Sequence, residues 1–397
     1  MLTVEQAAEI IRKACPPLDG EWVEFGRSSG RILAKNVRAQ TDCPPFDRSP
    51  LDGFALRAAD TAGACRERPA VLKQMETLYA GSGRVEALGP GEAVRVMTGA
   101  RLPEGADCVV RQEDTEWDGE RVRVFTGLKP YENFVFRGED IKKGEMVLEQ
   151  GRKIGYIEKG ILAAAGVGRV YVRKRPSVCL FSTGDELVAV GETLGAGQIF
   201  DSNLPMLEER LAQLGAKPVR CGYLKDSPKE ICRTLGEAAK EADLIITTGA
   251  VSVGERDVFH QVVEMEGCER IFWKVGMKPG TPLLFWKIDG VPVISLSGNP
   301  FAAAATFELL ARPALRRLMG ERETEPARAA AVLGTPFPKP SRSRRFVRGR
   351  LEGGRVTLPK GHSSGMIGSL LDCNCMVDIP AGSKALKEGD QVQVVML

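Results

Sequence analysis

Acidic, basic and small polar residues recur in this chain directly after short apolar runs. Ser182-Thr183-Gly184-Asp185-Glu186 closes the run 178–182, and Lys225-Asp226 follows 219–224. Gly249-Ala250-Val251-Ser252-Val253-Gly254-Glu255-Arg256-Asp257 follows 244–248. Lys274 lies within the run 271–275, which leads into Gly276-Met277-Lys278-Pro279-Gly280, and Ser297-Gly298-Asn299-Pro300 follows 291–296. Carboxylates hold hard divalent cations, lysines present a point charge to oxyanions, and small-residue turns expose backbone N–H groups to a phosphate. The combination suits a phosphate ester handled together with Mg²⁺. Each part also has a plainer reading. Asp185, Glu186, Asp226 and Asp257 read singly as solvated loop acids or helix caps, and Asp226-Ser227-Pro228 is a helix-start signature in its own right. Lys274 and Lys278 flank a glycine and also read as a surface pair. In the last turn Asn299 fits an N-cap, Pro300 the first helical position and Gly298 a close backbone approach; a well-capped strand-to-helix turn is the alternative.

The apolar runs alternate with helical patterns at 203–214, 228–240, 256–266 and 301–318. Strands alternating with helices predict βαβ units: a three-layer α/β domain with a mostly parallel sheet, spanning 176–325. Ligands of such a sheet bind in the crevice beyond the carboxyl ends of its strands. That is where the acids, lysines and small turns fall. The chain's 397 residues exceed one core, so further domains are required. Short strands at 71–78, 93–97, 108–111 and 122–125, cut by Gly and Pro, predict a β-rich domain over 45–136. Residues 326–397 read as a small β-barrel. The remainder, 1–44 with 137–175, reads as an elongated N-terminal domain. Its first helix, 3–14, has a Thr3/Gln6 capping box, and the apolar run 157–167 is expected to return the chain to that helix.

Composition excludes several classes. With 43% hydrophobic and 27% charged residues the chain is an ordinary folded protein, and a net charge of +3 does not suit a dedicated nucleic-acid or membrane-surface binder. No run is long and apolar enough to cross a membrane, and Met1–Ile10 does not read as a signal peptide. Ten cysteines without a repeating frame read as reduced thiols in the cytoplasm. The two histidines, His260 and His362, form no HExxH, and Cys373 and Cys375 make CxC rather than a zinc half-site. There is no Walker loop, and Gly195-Ala196-Gly197 follows no clear strand. Five arginines between Ser341 and Arg350 could suggest RNA; one face of a solvated barrel strand is the reading adopted. Gly361–Ser369 is rich in small and hydroxyl residues and reads either as a flexible loop or as an anion contact.

Pro45-Phe46-Asp47-Arg48-Ser49-Pro50-Leu51-Asp52-Gly53-Phe54-Ala55 resembles the PxFDxSxMDGYA signature of the molybdopterin molybdenumtransferases, the MoeA and gephyrin E-domain family. Met97-Thr98-Gly99-Ala100, Pro103–Asp107 and Arg137-Gly138-Glu139-Asp140 resemble it too, as do the strand-end motifs, in order and over essentially the whole chain. The resemblance implies insertion of molybdate into adenylylated molybdopterin, with hydrolysis of the adenylate to AMP. It further implies a homodimer whose cleft lies between the α/β domain of one subunit and the β-rich domain of the other. Carried over by motif, the functional positions are Asp52, Thr98, Asp140, Glu186, Asp226, Asp257, Lys274 and Lys278, with Arg350 and Ser369. Glu186 and Asp257 would hold Mg²⁺ or orient water, and the lysines would take a phosphate or molybdate. Ser182, Thr183, Gly184, Gly249, Ser252, Gly254, Pro279, Gly280 and the turn Ser297, Gly298, Asn299, Pro300 would cradle the substrate.

The chain departs from that pattern at Thr281, where the family often has Lys, and at Ala250, where many members have Gly. Phe301-Ala302 replaces Val-Ser, and Pro50-Leu51 replaces Ala-Met. These changes bear on molybdate against tungstate selectivity. Two rival readings are an adenylyltransferase, which needs only the α/β module, and a non-catalytic scaffold for the pterin cofactor. The extra domains argue against the first. The set of acids and lysines at strand ends argues against the second.

Overall fold

The computed structural model describes residues 1–83, 86–251 and 258–397. At its centre is a six-stranded sheet in the order Lys217–Leu224, Ser177–Thr183, Leu244–Thr248, Val291–Leu296, Leu284–Ile288, Cys268–Trp273. The first four strands are parallel neighbours; the last two join antiparallel. Three of the parallel strands, Ser177–Thr183, Leu244–Thr248 and Val291–Leu296, are buried on both faces along apolar runs, while the edge strand Lys217–Leu224 is largely half-buried. Helices Asn203–Gln213 and Pro300–Leu318 cover one face, the latter passing through a π-helical turn at Phe307–Ala311. Pro228–Ala239 and Val258–Val262 cover the other. The result is a three-layer α/β domain with a mostly parallel sheet.

Two differences from the sequence reading have clear causes. Leu284–Ile288 was absent from the expected strands; it forms a tight hairpin with Val291–Leu296 through Asp289-Gly290, both at positive φ. The expected strand 271–275 ends instead at Trp273, because Lys274 adopts the left-handed region at φ 71° and leaves the ladder.

The β-rich portion is a six-stranded sheet ordered Cys108–Arg111, Gly53–Leu56, Glu92–Val96, Ala70–Leu78, Arg121–Val124, Thr115–Trp117. At the C-terminal end, Arg344–Glu352 pairs with both Arg355–Thr357 and Cys375–Ile379. Arg328–Leu333 pairs with Arg355–Thr357 and Gln391–Met396, which pairs back to Cys375–Ile379. The ring therefore closes as a small barrel without free edges. Met277–Lys278 adds to it, running parallel to Arg344–Arg345 and tying the barrel to the α/β domain by backbone hydrogen bonds.

Gly20–Glu24 pairs with Arg169–Arg173, and Val37–Arg38 with Met146–Leu148, so segments far apart in sequence share one small core. The first helix, Val4–Ala14, does not belong to that core. Its capping box is formed as expected, but Val4, Ala7, Ala8 and Ile11 pack against Leu309, Leu310, Ala314 and Leu315 of the α/β domain. Ile161 and Leu162 pack on Leu33, Val37 and Leu148 instead. The expected return of 157–167 to the first helix is thus corrected: an amphipathic stripe says that a helix docks, not on what.

Candidate functional site

A cavity of about 620 Å³ opens at the carboxyl ends of the parallel strands. Thr183 and Gly184 enter it from one strand, Thr248, Gly249 and Ala250 from the next, and Ser297–Pro300 from a third. Asp226 approaches from the edge strand, and Gly365 and Ile367 of the barrel loop cover the opening. Gly249 is shaped by this floor: at φ 89°, a Cβ there would lie 2.2 Å from the Thr183 carbonyl oxygen. Gly298 lies against it, its Cβ direction meeting Gly249 Cα at 3.4 Å.

Two acids line the cavity. Glu186 folds over Gly184, and the Asp226 backbone N–H donates to Asp185 Oδ1 at 3.5 Å. Burial, then the neighbouring Asp185 and Glu186 carboxylates, push the Asp226 carboxyl above its ordinary range. This accumulation of negative charge is what a cation or a proton relieves. Among the described residues no three His, Cys, Asp or Glu side chains gather into a metal site by themselves. Asp257, Ser252 and Gly254 lie outside the described residues.

Unpartnered polar atoms mark the ligand side. Thr183 is 3% exposed and Asn203 5% exposed, and both line the cavity; Thr183 Oγ1 and Asn203 Oδ1 have no hydrogen-bond partner. Buried polar atoms left unpaired are costly, which makes them candidates for substrate contacts. Asn203 Nδ2 is engaged, donating to the Gly298 carbonyl at 2.8 Å and to Thr248 Oγ1 at 3.3 Å. Sequence reasoning missed Asn203. It opens the helix after the two-residue strand Ile199–Phe200, too short to register as a strand end. Asp201 Oδ1 accepts from the Asn203 and Leu204 N–H groups, the signal of a cap.

A second cavity, of about 320 Å³, adjoins the first: Pro300 and Gly365 line one, Phe301 and Ser364 the other. Its cations are Lys278, Arg345 and Arg348, with His362 beside them. Arg348 is fully buried, donates from Nη2 to the Ser363 carbonyl at 2.9 Å, and leaves Nε and Nη1 without partners. Burial, then the Arg348, Lys339 and Arg345 charges, push the His362 imidazole below its ordinary value, so it is neutral near pH 7. The arginine run predicts a solvated strand face for Arg348, and the structure buries it. It sits two residues from the buried Phe346, on the face that the barrel turns toward the α/β domain, where Phe346 joins that domain's core while Val347 fills the barrel interior. Arg350, the position expected to act, is exposed and pairs with Glu352 at 3.4 Å. It lines neither cavity.

Other expected residues fall elsewhere. Ser182 is fully buried, its hydroxyl 3.4 Å from that of Thr248, so it is a strand-to-strand contact. Gly280 packs on Thr306, and Ser369 Oγ donates to the Met366 carbonyl at 2.6 Å. Lys274 Nζ stands 3.7 Å above the Trp273 ring, outside both cavities, whereas Lys278 and Pro279 line the second. Asn299 occupies the N-cap position but makes no capping bond, and the Phe301 N–H donates to the Ser364 carbonyl at 2.9 Å. That amide is therefore not free for an anion. On the β-rich sheet, Asp52 accepts from the Thr98 N–H and hydroxyl at 2.7 and 2.8 Å, which hold its carboxyl below the usual range. Asp52, Thr98 and Asp140 are exposed and line neither cavity of their own chain.

Comparison with known proteins agrees with this layout. Residues 2–166 match the "MoeA N-terminal region (domain I and II)", 179–317 the "Probable molybdopterin binding domain" and 330–397 the "MoeA C-terminal region (domain IV)". The molybdopterin molybdenumtransferase of Bacillus subtilis (strain 168) is 36% identical over 400 residues, covering 98% of this chain and 93% of that one. The chain belongs to the MoeA family. The molybdopterin molybdenumtransferase of Staphylococcus aureus (strain COL) is 35% identical, covering 100% of this chain and 95% of its own. A molybdopterin biosynthesis MoeA protein from Pyrococcus horikoshii OT3 superposes with TM-score 0.85 at 30% identity, with 100% of both chains covered. A further MoeA crystal structure of that genus reaches 0.89 at 31% identity, covering 100% of this chain and 99% of that one.

Within the MoeA fold, this chain's departures acquire physical content. Ala250 lies at φ 51°, a left-handed position that glycine occupies without strain. Thr281 spends its hydroxyl on the Met277 carbonyl at 2.5 Å. Phe301 lies beneath the Arg348 guanidinium, 4.3 Å from its carbon to the ring centroid.

Proposed function

We propose that this MoeA-family chain inserts molybdenum into molybdopterin, taking adenylylated molybdopterin and molybdate as substrates and releasing AMP. The observation that carries the reading is the pairing of two adjoining cavities of opposite character. One holds Glu186, Asp226 and the unpartnered Thr183 Oγ1 and Asn203 Oδ1; the other holds Lys278, Arg345 and the unpaired N–H groups of Arg348. The basic cavity suits a tetrahedral oxyanion such as molybdate, since buried guanidinium N–H groups need acceptors. The acidic cavity suits the phosphoanhydride, with Gly249 and Gly298 letting the substrate approach the strand ends.

In this reading Asp226 takes a proton from the water that cleaves the adenylate; its upward-pushed carboxyl supports the role, since a base nearer neutral pH transfers protons more effectively. The donor set fits Mg²⁺ shared between protein and substrate: Glu186, with Asp257, would hold it against phosphate oxygens, where it would neutralise charge. Mg²⁺ commonly takes only one or two carboxylates and completes its shell with water and phosphate, so a small acid set suffices. Asp52, Thr98 and Asp140, exposed and lining neither cavity of their own chain, act across a homodimer, completing the cleft of the second subunit. Among the described residues no helix is long and apolar enough to cross a membrane, and the cytoplasm is the proposed location.

The test is AMP release from adenylylated molybdopterin with Mg²⁺, with and without molybdate. Molybdate-dependent release is expected. A folded dimer that binds the adenylate but releases no AMP under either condition overturns the transferase reading in favour of a cofactor-binding scaffold.

A further inference from the structure

Arg348 is unusual in how its charge is carried. A fully buried guanidinium ordinarily has a carboxylate partner. Among the described residues no Asp or Glu forms an ion pair with Arg348; its protein acceptors are the carbonyls of Ser363 at 2.9 Å and Gly361 at 3.5 Å, both reached by Nη2. What lies against the charge instead is the Phe301 ring, itself 3% exposed, with its centroid 4.3 Å from the guanidinium carbon. The same residue's backbone N–H donates to Ser364, the neighbour of the carbonyl that Arg348 holds. One residue therefore fixes both the guanidinium and the barrel loop beside it.

The choice of partner has a chemical consequence. A carboxylate would consume guanidinium protons and set a negative charge in the cavity, repelling an incoming anion. An aromatic face attracts the cation through its quadrupole and takes no proton. The Nε proton and both Nη1 protons stay available, and the cavity keeps its positive sign.

We propose that Phe301 is a positioning residue for oxyanion recognition: its ring carries the buried Arg348 charge so that Nε and Nη1 are held ready for a tetrahedral oxyanion. This rests on the assignment of the basic cavity to molybdate, and the test separates the two. The purified full-length chain is titrated calorimetrically with molybdate, and separately with sulfate, without pterin. Phe301→Leu is expected to weaken molybdate binding about tenfold, equivalent to about 1.4 kcal/mol. Phe301→Tyr, which keeps the π face, is expected to stay within about twofold of wild type. Phe301→Met serves as a second ring-free variant if the Leu protein does not fold, with the same expected loss. Arg348→Gln is expected to abolish binding. If the wild-type chain does not bind molybdate, or Arg348→Gln binds it as wild type does, the oxyanion reading of the cavity fails and the inference falls with it. If Arg348→Gln loses binding while the folded ring-free variants keep it, the cavity reading stands and the role of Phe301 is overturned. Equal weakening by Leu and Tyr in folded proteins would mean that packing alone is at work, and overturns it too.

Discussion

Gly249→Ala should damage the molecule far more than a single methyl suggests. The residue sits at φ 89°, where an L side chain costs about 1–2 kcal/mol. Its Cβ would stand 2.2 Å from the Thr183 carbonyl oxygen, a backbone atom of the adjacent parallel strand that cannot rotate away. Forcing that contact open adds roughly 1–3 kcal/mol of overpacking. The sum, about 2–5 kcal/mol, is a large share of what holds a domain together. Gly298→Ala is the internal control: its Cβ would meet Gly249 Cα at 3.4 Å, with no positive φ to penalise it, so a loss of about 1 kcal/mol or less is expected. Urea unfolding followed by tryptophan fluorescence suits the comparison, because Trp286 is fully buried in the α/β sheet while Trp22 and Trp117 are 57% and 43% exposed. Equal midpoints for the two variants would refute the argument, since they share the cavity floor and differ only in backbone conformation and clash.

Three further outcomes are expected. Ala250→Gly should raise stability by about 0.5–1 kcal/mol in the same unfolding assay, because relief of the left-handed strain at φ 51° outweighs the entropy of an added glycine. Asp226→Asn should raise the thermal midpoint at pH 7. A carboxyl whose pKa is raised by folding contributes stability only below its unfolded value, near 4, and loses it as pH rises through the folded value. Wild type and variant should therefore converge near pH 3–4; a gap that widens toward acid contradicts the raised carboxyl. Finally, mixed dimers of Asp52→Ala and Asp257→Ala subunits should recover AMP release that neither homodimer shows. Failure to recover it would place both residues in one subunit's site.

The α/β domain was legible because its central parallel strands are buried on both faces and read as apolar runs between amphipathic helices. The crevice followed from the strand ends, and Thr183, Gly184, Glu186, Asp226, Gly249 and the Ser297–Pro300 turn all reached it. What escaped was set by tertiary closure. Asn203 follows a two-residue strand that has no periodicity to detect. Arg348 looked like one of a run of solvated arginines, yet these diverge: Arg344 pairs with Asp378 and Glu5, Arg350 with Glu352, and Arg348 is buried against Phe301 of the α/β domain. Only the docking of the barrel on the α/β domain, through the Met277–Lys278 strand, makes that outer face part of a cavity. Of the antiparallel hairpin Leu284–Leu296, only the second strand was expected.

The docking of the first helix has a temporal cost. Val4–Ala14 packs on the last helix of the α/β domain, Arg312–Leu318, so its apolar stripe meets its partner only after about 300 further residues are made. At roughly 5–20 residues per second, the nascent chain carries Val4, Ala8 and Ile11 uncovered for about 15–60 s. An eleven-residue helix is marginal alone in water, so during synthesis the segment stays a largely unformed tether. Ribosome-bound chains stopped short of residue 318 therefore expose an adhesive N-terminus that the finished protein conceals.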